Sequence, residues 1–307
     1  VALREFLNET ASANGLLWGL FEGKVHVSPP TPLPAYTPPA TPRGLANQRV
    51  LRGGRLHLFD SPRFSGLPRR KIAVYLPSAY LSGNQSLRFP VVYMFDGQSI
   101  MSAEGMNAPD DHQGVDEALD QLTREGIIQP HIVVGVFNNG DNRMKEYMVI
   151  LNPQVAARHA RYMAKIVKPY IDRNFRTRPE REHTTISGAS AGGCAAITTY
   201  LDYLHVYGRV IAMSVAWRMT SGESNKSTLE HLRQFEGTLP VRCWIDVGTS
   251  ENRRTIRVED ARLARDLLVQ KGMIEGWDLG FWEVKGATHS HDAYRARMKT
   301  VLGFALR

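Results

Sequence analysis

A short β-branched run, Thr184-Thr185-Ile186-Ser187, passes directly into Gly188-Ala189-Ser190-Ala191-Gly192-Gly193 and then into an alanine-rich helical pattern through Cys194-Ala195-Ala196-Ile197. No other stretch limits the fold so tightly. A strand that turns at once into a helix belongs to a sheet whose strands are joined through helices. In Gly188-x-Ser190-x-Gly192 the serine is expected on a sharp, strained turn. A side chain two residues to either side would collide with that turn, so glycine suits both positions. The following helix directs its N-terminus at Ser190, where free N–H groups and the helix dipole can stabilise developing negative charge. The pattern alone also fits a plain small-residue turn; the strand before it, the helix after it and the additional Gly193 favour a nucleophile.

The rest of the chain alternates in the same way. Strands are expected at Leu56–Phe59, Lys71–Leu76, Val91–Phe95, His131–Phe137, Thr184–Ser187, Val210–Ser214, Val241–Val247 and Gly280–Val284. Several are continuous apolar runs, which suits strands buried on both faces. Helices are expected at Gly114–Glu125, Gln154–Asn174, Ala191–Leu204, Val258–Lys271 and Asp292–Leu306, the last with Tyr294, Met298, Val301 and Leu302 on one face. This order predicts an α/β fold: a mostly parallel central sheet with helices on both faces. The first two strands, joined by a hairpin around Pro62–Arg69, would form an antiparallel edge. Residues 1–42 read as an N-terminal extension, with an apolar patch (Leu16, Leu17, Trp18, Leu20, Phe21) of helical or strand potential and a Pro-rich connector from Ser28 to Pro42. That piece is too short to fold alone and is expected to pack on the main domain, residues 43–307, or on a partner chain.

Composition excludes more than it assigns. The chain has 307 residues, 43% of them hydrophobic and 22% charged, enough for a sizeable core, and no apolar run long enough to span a membrane. The formal charge of +8 invites a nucleic-acid reading. The cations are scattered, without a basic stripe interleaved with aromatics, so nucleic acid is not an expected partner and a leaning toward anionic substrates is the more modest implication. Cys194 and Cys243 are the only cysteines, and both fall in expected core elements, which favours two buried free thiols over a disulfide. The chain begins at Val1, so it reads as trimmed, and no signal peptide remains to give a destination. The compartment is left open, the cytoplasm slightly ahead of secretion.

A serine hydroxyl needs a base, and the base needs an acid to orient it. His289 follows the last expected strand in Gly286-Ala287-Thr288-His289, just before the C-terminal helix, where a base would overhang the end of the sheet. His291, at the start of that helix, is the rival and would rather cap it or face solvent. The His-x-His pair lacks the spacing of a completed metal site, so neither metal nor cofactor is expected. For the acid, Cys243-Trp244-Ile245-Asp246-Val247-Gly248-Thr249-Ser250-Glu251 offers two carboxylates. Glu251, in the loop, is preferred; Asp246, inside the strand, stays as the alternative. An oxyanion needs two N–H donors. The amide of Ala191 is one, and the amide of Gln98 in Phe95-Asp96-Gly97-Gln98 is the expected second, although Asp-Gly also fits a simple turn.

With these residues in place, five stretches resemble the esterase branch of the α/β-hydrolase superfamily, which includes enterochelin (ferric-siderophore) esterases, feruloyl esterases, formylglutathione hydrolases and mycolyltransferases. They are Val74–Pro77, Val91–Gln98, Ile132–Asn138 with Arg143 and Glu146-Tyr147, Ser187–Gly193, and Gly286–His289. Together they span roughly residues 56–307. The resemblance places nucleophile, acid, base and oxyanion amides on Ser190, Glu251, His289, Ala191 and Gln98. It further implies substrate contacts from Asp96, Arg143, Trp217 and Arg218. An ion pair fixing a loop is the competing role for Arg143-x-x-Glu146-Tyr147, and a buried structural side chain the competing role for Trp217. The large N-terminal domain of full-length enterochelin esterases has no counterpart beyond the stub and connector.

The function these expectations describe is ester hydrolysis through an acyl-enzyme. The partner is a small-molecule ester, anionic or aromatic. Arg143, Arg218, Arg253 and Arg254 near the mouth of the site would suit a siderophore ester, with feruloyl or acetyl sugar esters close behind. Acyl transfer to a sugar, a silent hydrolase fold used for binding, and assembly as a homo-oligomer all stay open.

Overall fold

In the computed structural model, the described residues are 17–21, 24–28, 48–51, 53–103, 106, 111–218, 227–251 and 256–307. The chain divides into two units, Val1–Pro38 and Pro39–Arg307. In the first, strands β1 (Leu17–Phe21) and β2 (Lys24–Ser28) form an antiparallel hairpin, so Leu17, Trp18, Leu20 and Phe21 of the apolar patch lie on a strand. The Pro-rich connector, Arg253 and Arg254 lie outside the described residues.

The second unit is built on one sheet, to which the described residues contribute nine strands: β3 (Gln48–Leu51), β4 (Gly54–Asp60), β5 (Lys71–Pro77), β6 (Val91–Phe95), β7 (Ile132–Val136), β8 (Thr184–Ala189), β9 (Arg209–Met213), β10 (Arg242–Gly248) and β11 (Leu279–Val284). Their spatial order is β11-β10-β9-β8-β6-β7-β5-β4-β3. From β11 to β7 all neighbours are parallel; β7, β5, β4 and β3 pair antiparallel, so β4 and β5 pair as expected, while β3, outside the expected strands, takes the edge beside β4. This is the α/β-hydrolase arrangement.

The helices of this unit are α1 (Ser78–Leu81), α2 (Val115–Arg124), α3 (Arg143–Tyr147), α4 (Pro153–Tyr162), α5 (Lys168–Asn174), α6 (Ala191–Asp202), α7 (Thr228–Gln234), α8 (Val258–Gln270) and α9 (His291–Ala305). The single helix expected at 154–174 is interrupted by one π turn, Met163–Val167. Pro169 explains the break: its ring cannot accommodate the carbonyl one turn back, and a widened turn releases that carbonyl.

Alternation along the buried strands divides the interior in two. Ile72, Val74, Val91, Tyr93, Phe95, Cys243 and Ile245 face a core shared with α4 to α8. Ala73, Tyr75, Val92, Met94 and Trp244 face a second core closed by α2 and α9. Because both faces are covered, the central strands must be apolar on both sides, which is why they read as unbroken runs. Both cysteines are buried free thiols, and burial pushes Cys194 up to about 11. Among the described residues, no helix is long and apolar enough to cross a membrane.

Candidate active site

The end of β8 delivers Ser190 to the edge of the sheet at φ 59° and ψ −124°, a conformation that a residue with a side chain rarely adopts. The elbow holds because its neighbours are glycine. A Cβ on Gly188 would lie 2.2 Å from the carbonyl oxygen of Gly192, and one on Gly192 would lie 2.9 Å from Asp96 Oδ2. The Ser190 amide donates to the carbonyl of Met213 at the end of β9, tying the turn to the neighbouring strand.

Around Ser190 the chain brings together residues from three loops. His289 Nε2 lies 3.0 Å from Ser190 Oγ, and His289 Nδ1 lies 2.6 Å from Glu251 Oε2. Glu251 is buried at the end of β10; its other oxygen, Oε1, accepts from the Gly248 amide at 2.7 Å and from the Ser214 hydroxyl. Burial alone would raise this carboxyl. Hydrogen bonds from His289, Ser214 and the Gly248 amide outweigh it and hold the group below the ordinary carboxylate value.

Asp246, the alternative acid, is directed elsewhere. It is fully buried in β10, pairs with Arg297 Nη2 at 3.0 Å and accepts from Trp244 Nε1 at 2.8 Å and from the Ser214 amide at 3.1 Å. Burial raises its carboxyl despite the Arg297 guanidinium beside it. Of the two carboxylates, Glu251 is the one in contact with His289.

The two expected oxyanion donors come from different elements. Ala191 opens α6, and the first amides of a helix have no partner within it. Gln98 is the middle residue of a 3-10 turn, Gly97–Ser99, that follows β6. Asp96, at φ 57°, starts that turn in the left-handed region. The loop is held from β7 and α3. Arg143 grips Asp96 in a bidentate pair, Nε to Oδ1 and Nη2 to Oδ2, both at 2.7 Å. Asn138 Nδ2 donates to Asp96 at 2.8 Å, its backbone amide donates to Gln98 Oε1, and the Tyr147 hydroxyl accepts from the Asp96 amide. Below, Glu146 is held by Arg70 at 2.6 and 3.0 Å, with both side chains buried.

A cavity of about 450 Å³ opens over Ser190, and the residues lining it include Gln98, Gln113, Asn138, Arg143, His289, His291 and Tyr294. Asp96 and Asp111 also reach it. Of the expected substrate contacts, Asp96 and Arg143 therefore reach the cavity, but their charges are satisfied by each other. Trp217 does not reach it: its side chain is 1% exposed and packed in the core shared with α4 to α8. Arg218 does not reach it either, since Asp260 holds its guanidinium at 3.4 Å. His291 departs from expectation in the other direction. Ser290 caps α9 by accepting from the Ala293 amide, and His291 pairs with Asp111 at the cavity rim. Tyr294 was expected only as core, yet its hydroxyl lies 3.1 and 3.3 Å from the two ring nitrogens of His289. Ser214 and Arg297 carried no sequence signal at all.

The sequence profile of the family described as "Putative esterase" matches residues 68–304. A Bacillus subtilis (strain 168) protein, uncharacterized protein YbbA, is 23% identical over 240 residues, covering 72% of this chain and 86% of that one. Among solved structures, the chain is similar to a CE1 ferulic acid esterase from Anaeromyces mucronatus in complex with ferulic acid, at a TM-score of 0.62 and 18% identity over 87% of this chain and 96% of that one. It is similar to an S-formylglutathione hydrolase from Agrobacterium tumefaciens at a TM-score of 0.59 and 16% identity, covering 86% and 100% of the two chains. An IroE-like serine hydrolase from Shewanella oneidensis gives a TM-score of 0.60 at 19% identity, covering 81% and 79%. At these identities the structural likenesses show the fold.

Proposed function

Because this chain belongs to the Putative esterase family and is a carboxylic ester hydrolase, we propose that it cleaves its substrate through an acyl-enzyme formed on Ser190. The observation that carries this reading is the unbroken chain of contacts from Ser190 Oγ through His289 to Glu251, at 3.0 and 2.6 Å, with the serine on a strained elbow.

His289 Nε2 takes the Ser190 proton as Oγ attacks the ester carbonyl, and the Ala191 and Gln98 amides hold the oxygen as it becomes negative. His289 then gives that proton to the leaving alcohol, whose departure leaves the acyl group on Ser190. In the second half a water takes the alcohol's place and loses a proton to His289 as it attacks the acyl carbonyl; His289 returns that proton to Ser190 Oγ as the acid leaves. Glu251 keeps the imidazole in the tautomer with Nδ1–H and offsets its charge when protonated. Ser190→Ala is expected to abolish hydrolysis of an activated aryl ester while the fold persists. Turnover near the wild-type rate in that variant contradicts the reading.

The described cavity lining favours neutral, hydrogen-bonding substrates. Its carboxylates are Asp96 and Asp111, its one guanidinium belongs to Arg143, and Arg143 is already paired with Asp96. That arrangement suits feruloylated or acetylated saccharides better than an anionic siderophore ester, the class that sequence alone put first. A panel of both kinds of ester separates them: higher kcat/KM on the saccharide esters is expected, and preference for ferric-siderophore lactones reverses the assignment.

A further inference from the structure

Glu251 uses its two oxygens differently. Oε2 meets His289, whereas Oε1 is held by the Gly248 amide and the Ser214 hydroxyl. Resting on the triad reading above, we infer that Ser214 and Arg297, with Asp246 behind them, form a buried positioning relay that fixes the Glu251 carboxylate for His289.

The direction of the relay follows from the donor inventory. Arg297 Nη2 contacts Ser214 Oγ at 2.5 Å, and a guanidinium can only donate. The hydroxyl therefore accepts from Arg297 and has its own proton left for Glu251 Oε1. A hydroxyl that accepts from a cation becomes a better donor, so each bond strengthens the next. Arg297 lies on the helix after His289, Ser214 at the end of β9 and Glu251 after β10, so three separate elements converge on one carboxylate oxygen.

Two features of the relay are hard to explain by stability alone. Arg297 is 1% exposed, and among the described residues its Nε and Nη1 have no hydrogen-bond partner. Neighbouring positions on α9 are apolar: Met298, Val301 and Leu302. Burying a guanidinium there costs desolvation, set against its pair with Asp246 and its stacking 5.0 Å over the Tyr294 ring, and an apolar side chain of similar volume often serves stability as well or better. Ser214 is also fully buried and sits at φ 45°, strained for a residue with a side chain. A serine held there against that strain is accounted for by what its hydroxyl donates to.

The relay also sets the charge around Glu251. Among the described residues, the titratable groups facing it are His289 from the loop before α9, Tyr294 and Arg297 from α9, and Asp246 from β10. Asp246 pairs with Arg297 at 3.0 Å, while Glu251 lies 4.0 Å from the same nitrogen. Arg297 is thus matched by Asp246, and the Glu251 charge is left facing His289.

The test compares Ser214→Ala with Ser214→Gly on p-nitrophenyl acetate across pH. Both remove the hydroxyl, but glycine accepts the positive φ without strain. Both are expected to lower kcat about 10-fold with KM little changed, since a hydrogen bond to a charged group is lost. Both should also move the acid limb of kcat/KM to higher pH, because Glu251 without that donor keeps more of its negative charge for Oε2, and the Glu251–His289 pair holds its proton more tightly. The double variant Asp246→Asn/Arg297→Met removes the far end of the relay and leaves no lone buried charge; it is expected to move the acid limb the same way. Wild-type kcat and pH profile in either Ser214 variant overturns the relay. So does recovery in Ser214→Gly of what Ser214→Ala loses, which assigns the effect to strain. If Ser190 of the wild-type protein fails to react with a fluorophosphonate, the triad reading itself falls, a failure visible without any variant.

Discussion

Two carboxylates five residues apart, Asp246 and Glu251, have opposite environments and should respond differently to loss of charge. Glu251 contacts the imidazole; Asp246 is the buried counter-ion of Arg297. Glu251→Gln is expected to lower kcat by roughly 10³-fold or more with a modest change in melting temperature, as when the orienting acid of a serine triad is neutralised. Asp246→Asn leaves Arg297 buried without its partner, and the cost is expected in stability, about 3–5 kcal/mol, measured by denaturant unfolding. A large kcat effect confined to Asp246→Asn would exchange the two roles. The sequence left this choice open because β10 and its loop offer both side chains within one short segment. What decides it is where the loop folds back over Gly248, a tertiary event with no local signature.

At the level of elements, the elbow and the oxyanion loop are each shaped by a close approach. Gly188→Ala would drive a Cβ into the Gly192 carbonyl, so the turn must open. The expected cost is about 1–3 kcal/mol of stability, with a larger loss of kcat, read from unfolding and steady-state kinetics together. Arg143, for which the sequence left open both a substrate contact and an ion pair fixing a loop, clamps Asp96, and through Asp96 the turn that carries the Gln98 amide. Arg143→Ala is expected to lower kcat about 10-fold or more with a smaller change in KM, because the amide meets the charge only in the transition state. A rise in KM alone would restore the substrate-contact role. The central strands were legible because burial on both faces leaves only apolar residues, and the long helices because their faces repeat; β3, at the sheet edge, was not among the expected strands. The helices α1, α3 and α7 span four to seven residues, too few to show a period. Trp217 stayed open between two roles for a related reason: an aromatic after a strand reads the same whether its side chain faces the cavity or the core.

Across the whole molecule, acid sensitivity follows from histidines locked in the interior. Burial depresses His131 to about 3 and holds His159 well below its usual value. In the unfolded chain both take up protons below about 6.5, while the native state does not, so stability falls as pH falls. Each contributes a slope of roughly 1.4 kcal/mol per pH unit below that point. Glu251 adds to this at lower pH: its folded value is depressed, so its contribution is present above the ordinary carboxylate range and fades as pH drops through the native value. Denaturant melts at pH 7, 6 and 5 should show declining stability, and His131→Gln should flatten the decline. A stability that is level from pH 7 to 5 contradicts this account. The architecture was readable from the sequence, and Ser190 and His289 could be proposed because each sits at a strand end in a recognisable setting, whereas the acid stayed open between Glu251 and Asp246. Ser214, Arg297 and Tyr294 were not readable, because they reach the site only through the packing of α9 across the ends of β9 and β10.

The most direct measurement is reaction of the wild-type protein with a fluorophosphonate, followed by peptide mass spectrometry. A single adduct on Ser190, lost in His289→Ala, is the expected result. An adduct on another residue, or equally rapid labelling of Ser190 without His289, contradicts the account.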